Sequence, residues 1–336
     1  MEKAVFERYV EQVMRILETQ RLFFVCGAPK SGTTWLQKAL DAHPEIVCAG
    51  EGHFADRFAV GLSQLFSEYH KHQQVVATNV YEGHPYYRPA AKNDFDFLVV
   101  SFILNSFSRL KIDSGTSILG DKTPANVEHM NSLRRLLPDA KFVTIVRDGR
   151  DVLVSQFKHA ARVNRATGVI QDMERFLLEN TRIYAERWVR AVKSADEFGV
   201  KFPDALHVVR YEDLKSDFAV TFAGVLEFLG AEASGTVVAH CESAASFERL
   251  TNGRQPGQED PNAFVRKGIV GDWRENLTRG HLEIFEEVAA EWLDRWSYPR
   301  ELGDAAGEKS SEGHRFNTEG TEDISDIISG YLKRAF

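Results

Sequence analysis

Lys30, Ser31, Thr33 and Thr34 crowd around two glycines, Gly27 and Gly32, in the segment Leu22–Trp35, LFFVCGAPKSGTTW. A cation, three hydroxyls and two conformationally free residues in so short a stretch suit one task, the grip of a bound anion. Glycine permits backbone angles that side chains forbid. Consecutive amide N–H groups can then turn inward and form an anion cradle at the positive end of a following helix. The apolar run Leu22–Cys26 has the length and composition of a buried strand, and a helix is expected to start at Thr33. The spacing of Gly27 and Gly32 matches the nucleotide-triphosphate loop G-x-x-x-x-G-K-[ST], but Thr33 stands where that loop has lysine. The lysine lies inside the loop, at Lys30, and an aromatic, Trp35, closes it.

Three other segments carry chemistry. VRDGRDVLVS, Val146–Ser155, offers Arg147 and Arg150 at the start of a predicted helix. VRYEDL, Val209–Leu214, ends a predicted strand on Tyr211. RKGIVGDWRENLT, Arg266–Thr278, opens on Arg266, Lys267 and Gly268. The planar guanidinium fork of arginine suits phosphate oxygens.

With PKSGTTW at Pro29–Trp35, these segments resemble, in order, four motifs of the sulfotransferases that use 3′-phosphoadenosine 5′-phosphosulfate. Together they span most of residues 22–300. The resemblance implies a central, mostly parallel sheet flanked by helices, an α/β fold like that of P-loop nucleotide-binding proteins. It implies 3′-phosphoadenosine 5′-phosphosulfate as donor and no metal. It places Lys30, Ser31, Gly32, Thr33 and Thr34 on the 5′-phosphosulfate, and Arg147, Ser155 and Arg266 on the 3′-phosphate, assisted by Lys267 and Gly268. Trp35, Tyr211 and Phe247 fall on the adenine side.

Sulfuryl transfer also needs a proton acceptor. Family members that act on phenols and steroids carry lysine-threonine-histidine, with histidine as base. Here the matching residues are Lys122-Thr123-Pro124, and proline accepts no proton. Glu51-Gly52-His53-Phe54-Ala55-Asp56 instead resembles the E-x-H-F-x-D element of the heparan sulfate 3-O-sulfotransferases, in which the glutamate is the base. That branch also has lysine and proline at the positions of Lys122 and Pro124. Glu51 is therefore expected to be the base, with His53 as support or runner-up, and Lys30 and Lys122 are expected to stabilise the transferred group. The competing readings are a carbohydrate sulfotransferase, a magnesium-dependent phosphotransferase on the same looped sheet, and an inactive nucleotide-binding relative.

The chain of 336 residues is read as one domain over 1–300 and a polar tail over 301–336 that ends in a short helix near Ile324–Phe336. Strands are expected at Leu22–Cys26, Ile46–Ala49, Lys141–Val146 and Ala205–Arg210, with a short strand or turn at Ser117–Gly120, alternating with helices, as in a parallel sheet covered on both faces. The helices include 1–20, Thr33–His43, Asn126–Leu137, Asp148–Arg162, Met173–Phe198 and Asp217–Leu229. Hydrophobic content of 43% and charged content of 27% are those of a globular protein. A net charge of −8 argues against nucleic acid or an anionic membrane as partner. No segment reads as a membrane span. Three cysteines with no metal-ligand spacing suit a reducing, cytoplasmic setting. The aromatic-rich stretch 54–112, with Tyr81, Tyr86, Tyr87, Phe95 and Phe97, is expected to wall a pocket for a small-molecule acceptor of low anionic charge, in specialised metabolism. Thr278-Arg279-Gly280 departs from the threonine-valine dimer element of the cytosolic branch, so no oligomeric state follows.

Overall fold

The apolar strand segments assemble as the alternation predicts. Five parallel strands form one sheet in the order β2-β3-β1-β4-β5, with β1 Arg21–Cys26, β2 Ile46–Ala49, β3 Ile118–Lys122, β4 Lys141–Val146 and β5 Leu206–Arg210. A computed structural model describes residues 1–84, 91–263 and 265–302. The tail after 302, its expected helix, and Tyr86 and Tyr87 lie outside these described residues.

The helices are α1 Lys3–Thr19, α2 Thr33–Asp41, α3 Val60–Val80, α4 Lys92–Ser108, α5 Met130–Leu136, α6 Gly149–Thr167 and α7 Met173–Lys201. They continue with α8 Tyr211–Ser216, α9 Phe218–Leu229, α10 Gly235–Ala244, α11 Phe247–Leu250, α12 Trp273–Asn276 and α13 Arg279–Arg295. Side chains alternate across each strand. Phe24 and Cys26 join the larger core, with Phe142 of β4 and the buried faces of α6, α7 and α13. Phe23 and Val25 join a second core with Val143, Ile145 and residues of α2, α9 and α10. Burial on both faces explains why the strands read as unbroken apolar runs.

β1 is the central strand. The chain crosses from it to β2 and β3 on one side, and to β4 and β5 on the other. Ligands of such sheets bind outside the carboxyl ends of the strands at this reversal. The register carries the site with it. Ala49 pairs with Asp121 and Val25 with Lys122, so Glu51 and Lys122 leave the sheet at nearly the same level. Val146 pairs with Arg210, so Arg147 and Tyr211 do too.

One expected helix is divided. The helix expected over Asn126–Leu137 is broken into a 3₁₀ turn, Pro124–Glu128, and α5. Asn126 is fully buried and its side-chain amide is drawn to Asp121 at 3.3 Å, which holds the turn apart from the helix. Residues Phe54–Ala59 form a π-helical turn that His53, at φ 47°, initiates. All three cysteines are buried and unpaired. No described helix is long and apolar enough to cross a membrane.

Candidate active site

The loop after β1 has the shape that its glycines foretell. Gly27 and Gly32 have φ of 146° and 103°. A Cβ on Gly32 would meet the Tyr211 ring at 2.7 Å, and one on Gly27 would meet the Ile145 carbonyl oxygen at 2.4 Å. Lys30 also adopts a positive φ, 74°, a conformation that a non-glycine residue holds only at a cost. No side chain caps α2, and its first backbone bond runs from Leu36 N–H to the Gly32 carbonyl. The N–H groups of the first turn have no helical acceptor, and Gly32, Thr33, Thr34 and Trp35 line the main cavity. The cradle and its donor set fit a phosphate or sulfate. Ser31 is placed differently. It is fully buried beneath the loop with its hydroxyl unpartnered, off the cavity wall.

At the ends of β4 and β5, the Arg147 guanidinium lies 4.3 Å over the Tyr211 ring. It donates to the Ile269 carbonyl at 2.9 Å and to Asp151 at 3.3 Å. Asp151 also accepts from the Gly271 and Trp273 amides at 2.8 and 3.0 Å. One buried carboxylate thus ties the Arg147 segment to the Gly271-Asp272-Trp273 block, 120 residues away in sequence. Arg266 pairs with Asp272 and, at 3.0 Å, with Glu259, while Lys267 donates to Asp272 at 2.7 Å. Gly268, at φ 64°, sits where a Cβ would strike Phe247 at 2.4 Å. Trp35 packs edge-on against Tyr211 at 5.4 Å and donates to the Ala245 carbonyl, two residues before Phe247.

Arg150 requires a correction. Its type and position suggested an anion ligand, but it is fully buried. It makes two bonds to Asp148, at 3.0 and 2.9 Å, reaches Glu286 at 3.3 Å, and stacks 3.9 Å over Trp273. Its role is to join α6, α12 and α13.

On the other side of β1, Lys122 donates to Glu51 Oε1 at 2.6 Å. The second oxygen of Glu51 lies 3.3 Å from His53 Nε2, and His53 Nδ1 lies 2.8 Å from Asp56. Burial opposes a charged His53 ring, but the bond to Asp56 and the charges of both carboxylates outweigh it and raise its pKa above the ordinary value. Asp121 holds this loop from below. It accepts from the Gly52 amide at 2.8 Å and the Thr123 hydroxyl at 2.8 Å, and burial lifts its pKa to about 6.

A single cavity of about 1240 Å³ unites these groups. Lys30, Thr33, Thr34, Trp35, Glu51, His53, Arg147, Ser155, Tyr211, Phe247, Arg266, Lys267 and Gly268 all border it. Residues scattered along the chain from Lys30 to Gly268 thus face one space.

The profile of the sulfotransferase family matches residues 23–235. The chain belongs to the sulfotransferase family. Human sulfotransferase 1C2 is 23% identical over 277 residues, 79% of this chain and 80% of its own length. Cytosolic sulfotransferase 17 of Arabidopsis thaliana is 26% identical over 76% of this chain and 69% of its own. Protein-tyrosine sulfotransferase 1 of Danio rerio is 25% identical over 66% of this chain, which spans only 56% of that relative. Among solved structures, mouse sulfotransferase SULT7A1 complexed with PAP superposes with a TM-score of 0.51 at 18% identity, over 90% of this chain and 95% of its own, a likeness of fold.

The cavity of this sulfotransferase is strongly basic although the whole chain is acidic. Beyond the residues read from the motifs, Arg57, Lys158, His159, Arg162, Arg187 and Arg190 line it. Sequence reasoning missed those of α6 and α7 because these helices carry basic residues on several faces, and only packing shows which face is turned inward. It also missed the buried carboxylate of Asp121, which holds the Gly52 loop, and the bonds by which Asp151 holds the Gly271–Trp273 block. From the stretch expected to wall an acceptor pocket, Asp56 and Arg57 border the cavity, whereas Phe95 packs on the core and Phe97 is exposed.

Proposed function

We propose that this sulfotransferase moves a sulfuryl group from 3′-phosphoadenosine 5′-phosphosulfate to a hydroxyl or amine of a small-molecule acceptor. The observation that carries this reading is the cavity itself, which the anion cradle and the Glu51, His53 and Asp56 side chains all line, with Lys122 bonded to Glu51. Lys30 and the amides at the start of α2 would hold the 5′-phosphosulfate. Arg147, Ser155 and Arg266 would take the 3′-phosphate, with Lys267 and Gly268 beside them, and Trp35, Tyr211 and Phe247 would enclose the adenine.

Glu51 takes the proton of the acceptor as its oxygen or nitrogen attacks sulfur. The bond from sulfur to the bridging phosphate oxygen breaks, and its electron pair leaves with adenosine 3′,5′-bisphosphate. Lys30 meets the charge that develops on the bridging oxygen, and Lys122 steadies the sulfonate. His53 suits the supporting role better than that of base. Against the effect of burial, the bond to Asp56 and the charges of Asp56 and Glu51 raise its pKa, which favours the protonated ring over the proton-accepting one. Its charge then orients Glu51.

Glu51→Gln tests the assignment. Turnover should fall by about 10²-fold or more, while the thermal shift produced by adenosine 3′,5′-bisphosphate persists. Near-normal turnover in that variant would remove Glu51 from the mechanism.

A further inference from the structure

We infer that Gln156 is a positioning residue for the anion loop: its side-chain amide fixes the Pro29–Lys30 peptide and so sets Lys30 against the 5′-phosphosulfate. This rests on the donor reading above and adds to it a residue that no motif marks.

The loop makes a β-turn at its tip. Ser31 N–H donates to the Ala28 carbonyl at 3.1 Å, which closes a turn with Pro29 and Lys30 at its centre. The proline ring fixes φ at about −65° at the first central position, and Lys30 follows at φ 74°. A negative φ followed by a positive one is the type II form, which favours glycine or asparagine at the place that Lys30 takes. A type I turn would spare Lys30 that angle. It would require only that the central peptide, from the Pro29 carbonyl to the Lys30 N–H, turn over by about 180°. Whatever holds that peptide therefore decides the form of the turn.

Gln156 holds it. Its Nε2 donates to the Pro29 carbonyl at 3.3 Å, across 127 residues of sequence. A carbonyl oxygen only accepts, so the Gln156 amide must face it with its nitrogen. Gln156 is 8% exposed, and Leu153, Phe157 and Ala160 of the same helix are built into the core, so the donor stands on a rigid base. The Lys30 carbonyl, next along, accepts from Arg147 Nη1 at a longer 3.5 Å. That guanidinium is already spread between Ile269, Asp151 and the Tyr211 ring. The Gly32 carbonyl accepts from Leu36 N–H at 3.1 Å. The carbonyls of Ala28, Pro29, Lys30 and Gly32 are thus engaged by the protein, while Lys30, Gly32, Thr33 and Thr34 border the cavity. A cradle fixed before its anion arrives spares the ordering cost of binding. Gln156 also follows Ser155, the residue assigned to the 3′-phosphate, and both border the cavity. Consecutive residues of α6 therefore serve the two ends of the nucleotide.

The test measures the contribution of the 5′-phosphate. Calorimetry on the full chain gives the affinities for adenosine 3′,5′-bisphosphate and adenosine 3′-monophosphate, and their ratio isolates that phosphate. Gln156→Met keeps the length of the side chain without its donor, and Gln156→Leu is a second donorless variant. Loss of one neutral hydrogen bond should lower the ratio about fivefold or more, while the affinity for adenosine 3′-monophosphate stays within about twofold of wild type. Hydrogen exchange of the nucleotide-free variants, read by mass spectrometry, should quicken over residues 27–34 and stay at the wild-type rate in β4. An unchanged ratio in both variants would overturn the proposal. So would an equal loss for both nucleotides, which would make Gln156 a support of the whole fold or of the 3′-phosphate end, and so would failure of both variants to fold. Equal affinity of the wild-type chain for the two nucleotides is a separate result, and it would refute the donor reading and this role with it.

Discussion

Asp121 is the residue whose replacement tests the architecture of the site most directly. It is 1% exposed, and its pKa is pushed up to about 6 from 3.8 because burial penalises the carboxylate. Bonds from Thr123, Gly52 and Asn126 recover part of that penalty. A rise of that size corresponds to about 3 kcal/mol between the protonation states. The sign follows from proton uptake. Between pH 6 and 3.8 the folded chain binds a proton at Asp121 that the unfolded chain releases, so this residue adds stability as pH falls through 6 and withdraws it as pH rises. The carboxamide introduced by Asp121→Asn would not titrate. From pH 7 to pH 5 the wild type should therefore gain about 1.4 kcal/mol relative to that variant. At pH 7 the variant sheds a buried charge but loses an acceptor for Thr123 and Asn126, and these effects oppose one another. Urea unfolding of both proteins at pH 7, 6 and 5, read by tryptophan fluorescence, measures the difference. A gap that stays constant with pH, or that closes as pH falls, would show that Asp121 is ionised freely in the fold and would refute the reasoning.

Gly32→Ala forces a Cβ into the Tyr211 ring at a φ of 103°. It should weaken adenosine 3′,5′-bisphosphate by about tenfold or more, as read by calorimetry. Arg150→Met leaves Asp148 and Glu286 buried without their shared cation and should cost about 3–5 kcal/mol of stability by chemical unfolding. Arg147→Lys retains charge but loses the stack on Tyr211 and the fork to Ile269 and Asp151. Nucleotide affinity should fall about tenfold or more, and a wild-type dissociation constant would exclude Arg147 from the donor site.

The strands and the anion loop were legible because their signals are local. An unbroken apolar run such as Lys141–Val146 can be covered only on both faces, and Gly27 and Gly32 mark the turn that no other residue type makes. The pairing of Lys122 with Glu51 lay beyond that reach. It arises from strand register, which sets Ala49 beside Asp121, and register is decided by the packing of whole strands. Arg150 and Arg147 look alike in sequence, three residues apart at the mouth of one helix. Burial separates them: one is sealed between Asp148, Glu286 and Trp273, and the other opens on the cavity.

Residue types and local spacing thus determined the parallel α/β sheet and the cradle at the start of α2, since backbone freedom and hydrophobic periodicity act over a few residues, while the chemical class of the reaction came from the resemblance of four motifs to a known family. Tertiary structure alone decided which charges meet. The balance of charge on the cavity wall depends on which faces of α6 and α7 turn inward, and a chain of net charge −8 folds around a cavity lined by more Lys and Arg than Asp and Glu.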